Sequence, residues 1–220
     1  MRRAPWPVSL LFGASIGLLI LLTGPLLLFN PWFVSALQAR HDVAESFETS
    51  QAEVDRVTGA FLADLFTDGD FEATLDGQPL LDDAERSHMS DVSNLVRLLV
   101  LAAVVALIVA ALTGTLLRGE SRRMATVLLG TAAAIGAAGL VVGLVFAVAF
   151  DAAFLAFHAI FFPPGTYLFE PGSNLVTLFP GGFWFEASLI AGATVVLSAL
   201  VVLLIGVAGR RRPPTTLRAA

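Results

Sequence analysis

DAAFLAFHAIFFPPGTYLFEPGSNLVTLFPGGFWFE, residues 151–186, decides how the chain is read. It holds eleven ring-bearing side chains: Phe154, Phe157, His158, Phe161, Phe162, Tyr167, Phe169, Phe179, Phe183, Trp184 and Phe185. A Pro-Pro-Gly and a Phe-Pro-Gly-Gly break interrupt it. A loop in water gains nothing from such a composition, whereas rings with one wet and one oily side are favoured where membrane meets water. The runs on either side are purely apolar and long enough to cross a bilayer. The stretch therefore joins two spans at that boundary.

Working outward, four apolar runs reach the roughly 20 residues of a spanning helix: 8–29, 95–117, 124–150 and 187–209. With 220 residues, 56% hydrophobic and 14% charged, the chain has too little polar surface for a water-soluble domain of this size. The fold class is an all-α membrane protein, four transmembrane helices with an extracytoplasmic cap built from two outer segments. Residues 1–30 hold the N-terminus and first span, 31–94 the first cap segment and 95–117 the second span. Residues 118–123 form an inner loop, 124–150 the third span, 151–186 the aromatic cap segment, 187–209 the fourth span and 210–220 the tail. Val34-Ser35-Ala36 is a nominal signal cleavage site, but the first apolar run exceeds the roughly 7–15 residues of a signal core, so an uncleaved anchor is expected. Pro25 is expected to kink it.

Charge placement orients the spans. All 13 basic residues are arginine, and nine (Arg2, Arg3, Arg118, Arg122, Arg123, Arg210, Arg211, Arg212 and Arg218) fall on one side of the four-span layout. That side is expected to be cytoplasmic, with both termini inside a bacterial cytoplasmic membrane. Fourteen of the 18 acidic residues lie within 42–91, on the other side. Their spacing in DGDFEATLDG lacks the alternating carboxylates and terminal glutamate of a calcium loop, so they read as a solvated face. Cysteine is absent, which excludes disulfides, thiolate metal sites and a cysteine nucleophile.

In the first cap segment, Ser50 and Glu53 have capping-box spacing ahead of Val54, Val57, Phe61, Leu62 and Leu65 at helical intervals. Asp68-Gly69-Asp70 and Asp76-Gly77 are turns. Asp82 or Asp83 caps a helix over 84–94 that runs straight into the second span. Pro31-Trp32-Phe33 is an interfacial anchor, and Arg97 snorkels to the interface. Gly139 and Gly143 are spaced to pack helices within one bundle, and a monomer is expected.

The groups able to do chemistry are few. His41, after Arg40, reads as a surface residue. His88 lies seven residues before the second span and His158 eight after the third. If both helices continue beyond the bilayer, a rise of about 1.5 Å per residue carries both imidazoles to the same height on antiparallel neighbours. At helical spacing His158 shares a face with Asp151, Phe154 and Phe161, and His88 has Glu85 and Asp91 one turn to either side. A histidine tuned by rings and a carboxylate suits general acid–base work near neutral pH. From composition alone, an interfacial histidine hydrogen-bonded within the cap stands beside that reading. A zinc site from His88, His158, Glu85 and Asp151 lacks the usual short ligand spacings, and no metal or cofactor is expected. No serine sits in GxSxG, and nothing points to nucleic acid.

FHAIFFPPGTYLFEPGSNLVTLFPGGFWFE, with ERSHMSDV before the second span, resembles the signature of the bacterial lipoprotein intramolecular transacylase (Lit) family. The order of the two motifs and the four spans match as well. The resemblance implies transfer of the sn-2 acyl chain of a diacylglyceryl lipoprotein to the amine of its N-terminal cysteine, giving a lyso-form lipoprotein. It places the two catalytic histidines on His88 and His158, and implies membrane lipid and diacylated lipoprotein as partners. Phe154, Phe157, Phe161, Phe162, Tyr167, Phe169, Asn174 and Phe179 become the expected substrate-binding wall, with Glu85, Asp91 and Asp151 in support. Tyr167, Asn174 and Gly181 stand where the family more often has tryptophan, aspartate and an acidic residue. A non-enzymatic cap that binds a lipid or membrane partner is the competing expectation.

Overall fold

The computed structural model describes residues 4–67 and 69–211. Arg2, Arg3, Arg212 and Arg218 of the orientation argument, and Asp68 of the first turn, lie outside the described residues. Among the described residues four helices are long and apolar enough to cross a membrane: α1 (Trp6–Leu27), α5 (Asp83–Leu116), α6 (Ser121–Val148) and α9 (Gly181–Arg211). Between α1 and α5 come α2 (Pro31–Arg40), α3 (Val43–Ser46), α4 (Gln51–Asp64) and a hairpin of β1 (Thr74–Leu75) and β2 (Gln78–Pro79). Between α6 and α9 come α7 (Phe150–Phe161) and α8 (Asn174–Leu178).

Local chemistry accounts for most of these boundaries. The Asn30 side chain accepts the Phe33 N–H at 3.2 Å and Pro31 supplies the first turn, so Pro31-Trp32-Phe33 opens a helix, α2, that was not expected from the sequence. Val34-Ser35-Ala36 lies inside that helix, with Val34 buried. Ser50 caps α4 by accepting the Glu53 N–H at 3.2 Å, and Val54, Val57, Phe61 and Leu62 form its buried face. The hairpin turns at Asp76 and Gly77, whose φ of 50° and 77° match the primed turns that fit strand twist.

Two boundaries differ from the expectation. The helix over 84–94 does run unbroken into the second span as the 34-residue α5. The third does not continue: α6 stops at Val148, and Ala149, at φ −142° and ψ 48°, breaks the chain before α7. His158 is therefore not reached by a straight extension of the span. The fourth helix opens at Gly181, so Phe183, Trp184, Phe185 and Glu186 belong to its first turns and not to a loop.

The chain forms two compact units. The described residues of Met1–Thr23, Ala103–Leu140 and Thr194–Ala220 make the first. Here small residues let helices approach: a Cβ on Gly13 would come within 3.0 Å of Thr131 and Val127, and one on Gly139 within 3.2 Å of Val195. Arg123 and Glu120 close it by holding the carbonyl and N–H of Ala4, each at 2.5 Å.

Gly24–Ala102 and Val141–Ala193 make the second unit. Its core joins Val34, Val54, Phe61, Phe71, Leu178 and Phe183. Gln38, 0% exposed, donates to the Leu178 carbonyl at 3.1 Å and accepts from the Thr58 hydroxyl at 3.0 Å. A buried amide is tolerated there because its oxygen and nitrogen are both paired.

Candidate active site

His88 sits in the second turn of α5, ahead of its apolar run. The helix opens with a reciprocal box: the Asp82 carboxylate accepts the Glu85 N–H at 2.8 Å, and the Glu85 carboxylate accepts the Asp82 N–H at 2.9 Å. That box fixes which face of α5 turns inward, and Glu85, His88, Met89 and Ser93 line it, all buried. Farther along, the Ser93 hydroxyl donates to the Leu65 carbonyl at 3.1 Å.

His158 arrives on α7. The imidazoles face each other, ring centroids 6.1 Å apart and planes inclined by 25°. Phe162 touches both, at 4.9 Å from His88 and 5.4 Å from His158. It stands in extended backbone (φ −128°, ψ 150°) because Pro163 follows and disfavours helix, and its ring lies beside both imidazoles. Phe169 packs on His88 at 5.5 Å, while Phe154, Phe157 and Tyr167 surround His158 at 4.1, 5.4 and 5.3 Å.

This apolar enclosure lowers both pKa values. Burial, with a smaller contribution from the charge of His158, pushes His88 down from 6.5 to about 4. Burial also lowers His158, opposed by its bond to the Phe154 carbonyl. Both are neutral at physiological pH. His158 Nδ1 lies 2.8 Å from that carbonyl, which can only accept, so Nδ1 carries the proton and Nε2 keeps its lone pair. His88 Nδ1 is buried without a hydrogen-bond partner among the described residues, an arrangement folded proteins rarely tolerate without a functional reason.

The other expected site residues divide. Phe161 packs at a tilt against Phe157, centroids 4.8 Å apart, and stands one ring away from His158. Phe179 packs against Phe61, Phe183 and Trp184 in the core of the second unit, away from the pair. Asn174 donates to the Leu80 carbonyl at 2.6 Å, a link between the two connections. Asp91 and Asp151 make no hydrogen bond to either histidine among the described residues. Glu85 does not reach His88 either, because its second oxygen accepts the Leu175 N–H at 2.8 Å. His41 is half-buried instead of superficial. It lies on the Cα of Gly182, where an added Cβ would come within 2.8 Å of the ring, and 3.8 Å from Glu186. Among the described residues no three His, Cys, Asp or Glu side chains converge as a metal site would require.

The chain is a multi-pass helical membrane protein in which two neutral imidazoles stand face to face in an aromatic enclosure, an arrangement chemically able to move a proton. The family model described as lipoprotein intramolecular transacylase Lit matches residues 10–184. The chain belongs to that family and is a membrane acyltransferase. Its fold is similar to the in meso structure of the lipoprotein intramolecular transacylase Lit from Bacillus cereus, with a TM-score of 0.77 at 14% identity over 92% of this chain and 94% of that one. Two structures of the same bacterial protein with one histidine replaced, by arginine and by alanine, give TM-scores of 0.75 and 0.74 at 15% identity. They cover 92% and 91% of this chain, and 90% and 91% of theirs. No curated protein matches the chain in sequence.

Proposed function

We propose that His88 and His158 catalyse intramolecular O-to-N acyl transfer on a diacylglyceryl-modified lipoprotein. The sn-2 acyl chain moves to the amine of the N-terminal cysteine, leaving a lyso-form lipoprotein. The observation that carries this reading is the complementary state of the two rings: one neutral imidazole with a free Nε2 lone pair facing another with a buried, unpartnered nitrogen.

In this mechanism the attacking amine gives its proton to His158 Nε2 as the C–N bond forms. His88, kept neutral by burial, offers an N–H to the developing oxyanion, a role that a donor fixed in a dry site performs well. The bond between the acyl carbonyl carbon and the sn-2 oxygen then breaks, and the imidazolium of His158 returns the proton to that leaving oxygen. A lowered pKa makes that return easier. Donor and acceptor share one molecule, so effective molarity supplies much of the rate. The rings of Phe154, Phe157, Phe162, Tyr167 and Phe169 exclude the water that would otherwise hydrolyse the ester.

Leu155, Ile160 and Phe161 on α7, with Leu168 beyond it, are exposed. Placed among lipid, this face would let the ester enter sideways from the leaflet. Arginine segregation supports a cytoplasmic location for both termini and an extracytoplasmic one for the connections carrying the site. We assign the monomer as the working unit, since all these residues come from one chain.

Mass spectrometry of lipoprotein N-termini from a host making the protein tests the reaction. Lyso-forms with an N-acyl cysteine are expected. Persistent diacylglyceryl forms with free amines, despite good expression, would sink it.

A further inference from the structure

We propose that Glu85 is a positioning residue for this reaction: its buried carboxylate clasps the start of α5 to the start of α8 and so holds His88 against the wall carried by the second connection. The inference rests on the acyl-transfer reading for its kinetic consequence, but not for its structural one.

Glu85 is 2% exposed. One oxygen accepts the Asp82 N–H at 2.9 Å, and the other accepts the Leu175 N–H at 2.8 Å, 90 residues away in sequence. Beside it a second bond runs in the same direction, from the Asn174 amide to the Leu80 carbonyl at 2.6 Å. Residues 80–85 and 174–175 are therefore joined by two directional contacts, both donated by the second connection and accepted by the first. His88 follows Glu85 by one turn on the same helical face. The segment that Glu85 grips leads back through residues 163–173 to Phe162 and Phe169, whose rings touch His88.

Stability alone does not explain the choice of residue. Burying a carboxylate carries a desolvation cost, whereas an apolar side chain joins two segments without it. Asp82 already caps α5. What the carboxylate adds is two fixed acceptor directions, and acyl transfer responds to misplacements on the order of 1 Å. A glutamine of the same shape has one acceptor and would turn an NH2 against the other backbone N–H.

The test uses the full chain in lipid nanodiscs, a synthetic diacylglyceryl lipopeptide, and NMR of 15N-labelled histidine rings. For Glu85→Gln we expect kcat to fall by about 10-fold or more with KM changed by less than about 3-fold, since misplacement costs transition-state contacts and not binding. The His88 resonance should shift while that of His41 stays. Unchanged kcat in the folded variant, or a loss accounted for entirely by the unfolded fraction, would overturn the proposal. If Glu85→Gln does not fold, Asn174→Ala removes the neighbouring bond and leaves the carboxylate. A shifted His88 resonance with that of His41 unmoved supports the clasp, and an unmoved His88 resonance overturns it. An inactive wild-type chain would count against acyl transfer itself, and the ring resonances would still decide whether Glu85 positions His88.

Discussion

The two histidines meet from helices held in opposite ways. The turns of α5 that carry His88 are capped by Asp82, tied to Leu175 through Glu85 and to Leu65 through Ser93, and buried along one face. Helix α7, which carries His158, is twelve residues long, begins at the irregular Ala149, ends before Pro163 and has no fully buried residue. One histidine is built into a scaffold, and the other rides on a short helix whose apolar face is open. The contrast suits a substrate that has one constant reacting centre and two bulky, variable chains. In the proposed reaction the fixed side would set the geometry and the open side would admit the lipid.

The sharpest way to break the comparison is to remove either imidazole. His158→Ala and His88→Ala are each expected to lower turnover of a diacylglyceryl lipopeptide at least 100-fold, the usual scale for losing a general acid–base group or an oxyanion donor. Lyso-product measured by mass spectrometry checks it, and a double mutant with normal activity would refute the assignment. Next comes Phe162, the ring both halves share. Phe162→Ala should cost about 10-fold in turnover and about 3 kcal/mol of stability, since its side chain is 6% exposed. An increase in rate would contradict the dry-wall role.

The pH dependence of stability sharpens the contrast further. A histidine whose folded pKa is lowered stabilises the fold fully above its unfolded value near 6.5, and that contribution is lost as pH falls toward the folded value. For His88 the window runs from about 6.5 down to about 4. Melting temperature should therefore drop across it, and His88→Phe should flatten the slope more than His158→Phe. Equal flattening would mean that the two sites are equally dry. The smallest effect is in dynamics: amides of α7 should exchange with deuterium about 10-fold faster than those of residues 84–94, because local opening is easiest where few apolar contacts are buried. Equal protection would erase the distinction between the two halves.

Much of this was legible in residue order. Four apolar runs, the Ser50 cap, the Asp76-Gly77 turn and the unbroken run from the Asp82 box into the second span follow from periodicity and local hydrogen bonding. The histidine pair was legible for a partly mistaken reason. Equal heights were expected from two straight helices, whereas the chain breaks at Ala149 and turns His158 in on a separate helix. Nothing in VFAVAFDAAF marks that break by composition, since no proline or glycine stands there. The start of α2 was missed although Asn30-Pro31 carries a recognised signal, because the aromatic residues beside it suggested an anchor. Glu85, Asp91 and Asp151 were expected near the pair from helical spacing, and Phe179 and Asn174 from the resemblance. Phe179 went to the core and Asn174 to the Leu80 carbonyl.

By itself the sequence determined a helical membrane protein with four apolar runs, segregated arginines and two histidines beside an aromatic segment. Those properties are local or additive, being summed over neighbouring residues. Only the tertiary structure decided that His88 and His158 stand 6.1 Å apart, that Phe162 lies against both, and that Glu85 grips Leu175 instead of serving the histidine one turn away. Each of these depends on where residues some 70 to 90 positions apart come together, and that follows from packing the whole second unit.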